Sequence, residues 1–161
     1  MILGIDIGLS GCLVLLDEKN DYRYIDHLHM PIMTVGTKKR VNVASISRWI
    51  DPYYENLTGA FVELVNGMPS KGGEKMGAGS AFSFGHSAGI IEGFLQGALI
   101  PFHTVTPSKW KKNAHLIGKP KDASRGLVIR MYPEIADLDL IAKGQALADA
   151  ILIARCAVVP L

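Results

Sequence analysis

Two short apolar runs open the chain, Met1 to Asp6 and Cys12 to Asp17, separated by Gly8, Ser10 and Gly11. That pattern predicts two strands joined by a tight turn. A third strand is expected over Tyr22 to Met30, with Tyr22, Tyr24, Asp26, Leu28 and Met30 on one face; the imperfect alternation suits a sheet edge. Asn42 precedes Val43, Ile46, Trp49 and Ile50 at helical spacing, which predicts a capped amphipathic helix that stops before Pro52. Ala60 to Val65 reads as a buried strand, Ser80 to Leu99 as a helix rich in small residues, and Pro101 to Val105 as another strand. Asp122 to Tyr132 and Gln145 to Val158 read as helices, the second strongly apolar. Between Asn66 and Gly79, five glycines, Pro69 and three charged residues predict a mobile loop instead of a regular element.

Three strands ahead of the first helix argue against a plain alternating α/β chain. The order fits a mixed five-stranded sheet, its opening strands an antiparallel meander and its later strands parallel to the first, with helices on both faces. With 161 residues, 48% of them hydrophobic, the chain can fill one sizeable core, so a single domain is expected over residues 1–161. No apolar run approaches the roughly 20 residues that a bilayer-spanning helix needs, and the first residues lack a secretory pattern. A soluble, intracellular protein without a membrane partner is expected. Cys12 and Cys156 each interrupt nothing in their apolar surroundings and read as small buried thiols.

Charge adds information only through its distribution. The net +2 is too small to point to a partner, yet from Thr106 to Arg130 seven basic residues face a single acid, Asp122. A phosphate-facing surface and a solvated helical face both fit that segment. Three carboxylates stand where charge is costly: Asp6 within Ile-Asp-Ile, Glu63 within Val-Glu-Leu, and Asp149 within Leu-Ala-Asp-Ala-Ile, read as an acid opening the last helix. Any one of them could face water at an element's end. Brought together, they would form an oxygen-rich cluster suited to Mg²⁺ or Mn²⁺, able to hold a phosphate and activate water.

Several segments carry a resemblance. Gly4-Ile5-Asp6-Ile7-Gly8, Phe61-Val62-Glu63, Ser80-Ala81-Phe82-Ser83-Phe84-Gly85 with Gly89-Ile90-Ile91-Glu92-Gly93, Thr104 to Lys111, and Lys121-Asp122-Ala123-Ser124-Arg125 occur in that order. Together they resemble the RuvC-like Holliday-junction resolvases, most closely their bacteriophage branch. The resemblance implies a ribonuclease H-like α/β fold and a homodimer that binds four-way junctions or other branched DNA. It implies paired nicks by metal-dependent phosphodiester hydrolysis, with two Mg²⁺ ions per site, Mn²⁺ able to replace them, and no small-molecule cofactor. Asp6, Glu63 and Asp149 match the metal-binding acids, and Lys111 matches a lysine near the scissile phosphate. DNA contacts are implied for Asn66, Met68, Lys71, Lys75, Lys109, Lys112, Lys121 and Arg125. The cytoplasm, that of the host if the chain is phage-borne, is the compartment such an activity implies.

The chain departs from this pattern at one place. The family carries two acids on the final helix, and here Asp149 has no acidic partner: one turn earlier stands Gln145, which could offer a carbonyl oxygen to a metal but no charge. Either the branch tolerates an amide there or an acid has been replaced; in both cases one ion should bind more weakly. Competing readings are a junction-binding relative that no longer cuts, a nuclease acting on structured RNA, and an actin-like or sugar-kinase-like ATPase. The last shares Gly-Ile-Asp-Ile-Gly but needs two domains and a second phosphate loop. His27 and His29 resemble a metal pair, yet no third ligand stands at a supporting spacing, and edge-strand polarity is the expected reading. Phe82 and Phe84 are expected in the core, and the small-residue helix suits either a two-fold interface or close packing on its own sheet.

Overall fold

The strands of the main sheet form where the sequence predicts them. In a computed structural model that describes residues 1–64 and 77–158, β1 spans Ile2–Asp6, β2 Cys12–Asp17, β3 Arg23–His29, β4 Ile32–Val35 and β5 Lys38–Val41. Helix α1 (Val43–Ile50), β6 (Gly59–Glu63), α2 (Ala78–Gly97) and β7 (Phe102–Val105) follow, then α3 (Pro107–Asn113), α4 (Ala123–Met131) and α5 (Ile141–Ala154). The main sheet has the order β3-β2-β1-β6-β7. Its first three strands pair antiparallel, and β6 and β7 join parallel to β1. The sheet is therefore mixed and five-stranded, as expected. The predicted loop at 66–79 and the predicted contact residues Asn66, Met68, Lys71 and Lys75 lie outside the described residues, apart from positions 77–79.

Alternation along each strand divides the core in two. Leu3, Ile5, Leu13 and Leu15 pack with Ile46, Ile91 and Leu95 under α1 and α2. Cys12, Val14 and Leu16 pack with Trp110, Val128, Leu147 and Ile151 under α3, α4 and α5. The central strands are thus buried on both sides, which explains why they read as near-continuous apolar runs. Cys12 and Cys156 are free, buried thiols. Asn42 caps α1, its side chain accepting from the Ser45 amide at 3.2 Å.

Three expectations need correction. Residues 32–41 form a hairpin, β4 and β5, where the sequence pattern predicts no element. Its strands carry too few buried positions to show a period, but the two-residue loop Gly36-Thr37, with Gly36 at φ +60°, is a turn signal in its own right. In β3, a bulge opposite Leu15 and Leu16 makes Ile25 an extra residue. The bulge puts Tyr24, His27 and His29 on the α5 side and Asp26 and Leu28 on the other, so the single face expected for Tyr22 to Met30 does not exist. Asp26 instead accepts from Trp49 Nε1 at 2.9 Å and Tyr53 Oη at 3.2 Å beneath α1. Finally, α5 begins at Ile141 instead of Gln145, so Asp149 lies inside the helix and not at its opening. Gly144 permits this: a Cβ there would lie 2.5 Å from the Leu138 carbonyl oxygen, and only glycine lets the preceding turn pack that closely.

The contact that builds the site is between α5 and β1. A Cβ on Gly4 would lie 2.3 Å from the Ala150 carbonyl oxygen and 2.6 Å from Ala154 Cβ. Glycine on the strand and alanine on the helix let the two backbones approach, which sets Asp149 over the end of β1. Among the described residues, no helix is long and apolar enough to cross a membrane.

Candidate active site

Asp6 ends β1 and Glu63 ends β6, and the two strands run parallel in register, Ile2 beside Gly59 and Gly4 beside Phe61. The period of two puts both carboxylates on the face that α5 covers, at the same end of the sheet. Asp149 reaches that end from α5, next to the Ala150 that touches Gly4. Three acids distant in sequence thus converge because a parallel strand pair and one close helix contact bring them together.

Their electrostatics record that convergence. Asp6 is pushed up to about 8, first by burial and then by the negative charges of Glu63 and Asp149, against the opposing pull of Lys121. Burial likewise raises Glu63 and Asp149 above the ordinary carboxylate range; Lys111 favours the charged form of both. Each of the two also has fixed donors. Trp110 Nε1 donates to Glu63 Oε1 at 3.0 Å, and Ser124 Oγ donates to Asp149 Oδ1 at 2.6 Å. Gln145 Nε2 donates to the same Asp149 oxygen at 3.0 Å and also to Ser124 Oγ.

A cleft of about 420 Å³ opens beside Asp149, lined by Ser108, Lys111, Lys119, Lys121 and Ser124. Lys111 rises from α3 with its ammonium 5.1 Å from the Trp110 ring centre. Helix α3 is itself set by Thr106, whose hydroxyl accepts from the Lys109 amide at 3.2 Å, and by Pro107 in its first turn. Of the other basic residues singled out, Lys109, Lys112 and Lys121 are exposed. The Lys109 charge acts on the Cys156 thiol, and Arg125 donates to the Leu138 carbonyl at 3.1 Å, holding the turn before α5. Phe84 is half-buried against the turn after β1, whereas Phe82, expected in the core, is exposed beside Arg40.

Trp110 and Ser124 are site residues that the sequence reading did not name. Both stand inside segments quoted for the resemblance, but a tryptophan reads as core and a serine as nothing in particular until its neighbours are known. Three carboxylates, raised chiefly by burial, offer oxygen donors of the kind a hard divalent cation takes, but they are not drawn into a closed ligand set: among the described residues, the group whose ligand atoms all lie within 4.8 Å of one another is His27, His29 and Asp137. The fit is one anionic ligand short, since Gln145 turns its NH₂ group, not its carbonyl, toward Asp149.

No protein-family model matches the chain, and no curated protein matches it in sequence. Solved structures do match. Thermus thermophilus RuvC in complex with a Holliday junction substrate superposes with a TM-score of 0.61 at 15% identity, over 95% of this chain and 89% of that one. The fold is ribonuclease H-like and shared with RuvC. A second structure of T. thermophilus RuvC gives a TM-score of 0.51 at 16% identity, over 95% of this chain and 90% of the other. At those identities RuvC defines the architecture, and the chemistry has to be argued from the residues present here.

Proposed function

We propose that the protein is a structure-selective endodeoxyribonuclease that nicks Holliday junctions and related branched DNA. The observation that carries the reading is the convergence of Asp6, Glu63 and Asp149 from two parallel strands and a helix, beside a cleft edged by Lys111 and Lys121. The neighbouring complex of T. thermophilus RuvC with a Holliday junction supports the choice of substrate. The likeness of the Thr104–Lys111 and Lys121–Arg125 segments to the bacteriophage branch supports a place within it.

In this reading Asp6, Glu63 and Asp149 hold Mg²⁺ or Mn²⁺, two ions per site, Gln145 standing where a fourth acid would be. A cation held there would supply Lewis acidity toward the phosphate and the attacking water. The rest falls to the protein's own groups. Trp110 fixes the Glu63 carboxylate and Ser124 with Gln145 fixes that of Asp149, so neither oxygen has to be ordered at the moment of reaction. Lys111 steadies the negative charge that grows on the scissile phosphate, and Lys121, Lys112 and Lys109 hold the flanking backbone without reading sequence. Asn66, Met68, Lys71 and Lys75, in the segment that follows β6 in sequence, extend the DNA contact.

A homodimer belongs to the same proposal. Ser87, Ile91 and Leu95 turn α2 to the core, while Gly85, Gly89, Gly93 and Gly97 share an exposed face on which an added Cβ would meet nothing within 4 Å. Each exposed mid-helix glycine costs about 1 kcal/mol relative to alanine. Close approach of a second α2 is a reason to keep the three inside the helix, Gly85, Gly89 and Gly93.

One observation favours a second reading. The amide of Gln145 in place of a charge suits a junction-binding relative whose cutting is weak. A gel assay on a four-way junction and a linear duplex of the same sequence, with Mg²⁺, Mn²⁺ or EDTA, separates the two. Paired nicks on the junction alone, only with metal, are expected; binding of the junction without nicks in either metal supports the second reading, and no binding contradicts both.

A further inference from the structure

The β3 bulge gathers a second group of potential ligands away from the carboxylates. His27 Nε2 lies 3.1 Å from Asp137 Oδ2, and His29 Nε2 lies 3.4 Å from the same oxygen. One ligand atom from each of the three residues lies within 4.8 Å of the others. The two histidines share a strand face at a spacing of two, and their rings meet edge-on, with centres 5.0 Å apart, so they do not stack. Asp137 comes from the 3₁₀ turn Ala136–Asp139, which Gly144 and Arg125 hold against α5 and α4. The absence of a supporting third ligand at any near spacing, which made the pair read as strand-edge polarity, is made good from more than a hundred residues away.

The separations suit a small transition metal. Tetrahedral zinc with bonds of about 2.0 Å to nitrogen and oxygen sets its ligand atoms roughly 3.3 Å apart, between the 3.1 Å and 3.4 Å that separate the two Nε2 atoms from Asp137 Oδ2. Tyr24 Oη lies 2.6 Å from His27 Nδ1. A partner at Nδ1 is what orients a metal-binding imidazole and fixes which nitrogen is free. Because Ile25 is the bulged residue, Tyr24 and His27 fall on the same face; without the bulge the hydroxyl would point to the other side of the sheet. Side-chain exposures of 13% for His27, 23% for His29 and 45% for Asp137 leave the group reachable from solvent.

We propose that His27, His29 and Asp137 form a zinc-class metal site, with water or another small ligand in the fourth position, that ties β3 to the turn leading into α5. The site is separate from the carboxylate cluster. His29 pairs with Cys12 and Cys12 with Asp6, so two strand spacings, roughly 10 Å, divide them. Its existence does not depend on the nuclease reading, since nitrogen donors select the borderline zinc-class ions, whereas an all-oxygen set selects Mg²⁺.

The test is Zn²⁺ binding by equilibrium dialysis, with melting temperature followed in parallel, on the full-length wild type and the variants Asp6→Asn, Asp137→Asn, His29→Gln and Tyr24→Phe. Wild type and Asp6→Asn are expected to bind one tight Zn²⁺ and to melt at higher temperature with it. Tyr24→Phe should weaken binding by about 10–100-fold, and loss of Asp137 or His29 by more than that. Co²⁺ added to the wild type provides a readout that needs no variant: a visible spectrum of four-coordinate cobalt with nitrogen donors, displaced by Zn²⁺. The proposal is overturned if wild type takes up no Zn²⁺, if Asp6→Asn abolishes uptake, or if folded Asp137→Asn and His29→Gln bind as wild type does.

Discussion

Asp6 shows at the scale of one residue what the site costs the fold. An unfolded chain ionises this carboxyl near its ordinary 3.8, and the folded protein near 8. Between those values the folded state keeps a proton that the unfolded state has lost, so the stability of metal-free protein falls as pH rises from about 4 toward 8. Asp6→Asn removes the ionisable group. In EDTA it should melt above wild type at pH 8, with the gap closing toward pH 4, and calorimetry across that range would show it. Gln145→Glu works in the opposite direction: it adds the missing charge, and the Mg²⁺ concentration for half-maximal nicking should fall by about tenfold or more. The three acids were legible in the sequence because each interrupts an apolar run where charge is costly. Trp110, Ser124 and Asp137 were not, since their meaning lies in a partner far along the chain: Glu63, Asp149 and the His27–His29 pair.

The contact between β1 and α5 is the element on which the site depends. Gly4→Val would press a branched side chain into the Ala150 carbonyl and Ala154, and backbone there cannot yield easily. The substitution should destabilise by about 1–3 kcal/mol or more and shift Asp149 away from Asp6. Urea denaturation reads the first effect and metal affinity of the folded fraction the second. Elements with a strong apolar period, β1, β2, β6 and α1, could be read from sequence almost to their ends. The β4–β5 hairpin could not, because Ile32, Met33 and Val35 are exposed and Lys38 to Arg40 carry charge. The bulge in β3 and the early start of α5 escaped for a related reason: both are set by tertiary packing, at Ile25 and at Gly144, and not by local preference.

For the molecule as a whole, the mixed character of the main sheet followed from element order, since its first three strands precede the first helix and leave few ways to build a sheet with parallel additions. The proposed homodimer rests on the glycine face of α2. Gly89→Leu should leave the monomer folded, as an exposed position with open space around it, and shift sedimentation from dimer to monomer; a wild type that sediments as a monomer would remove the dimer from the account. The central claim, that Asp6, Glu63 and Asp149 act as one centre, is tested most directly by single-turnover nicking of a four-way junction in Mg²⁺ with Asp6→Asn, Glu63→Gln, Asp149→Asn and the Asp6→Asn/Asp149→Asn double variant. Each single change should slow nicking by about 100-fold or more while junction binding persists, and the double variant should be scarcely slower than the worse single one, as for groups that work as a unit. Nicking within a few-fold of wild type in any of the single variants would contradict it.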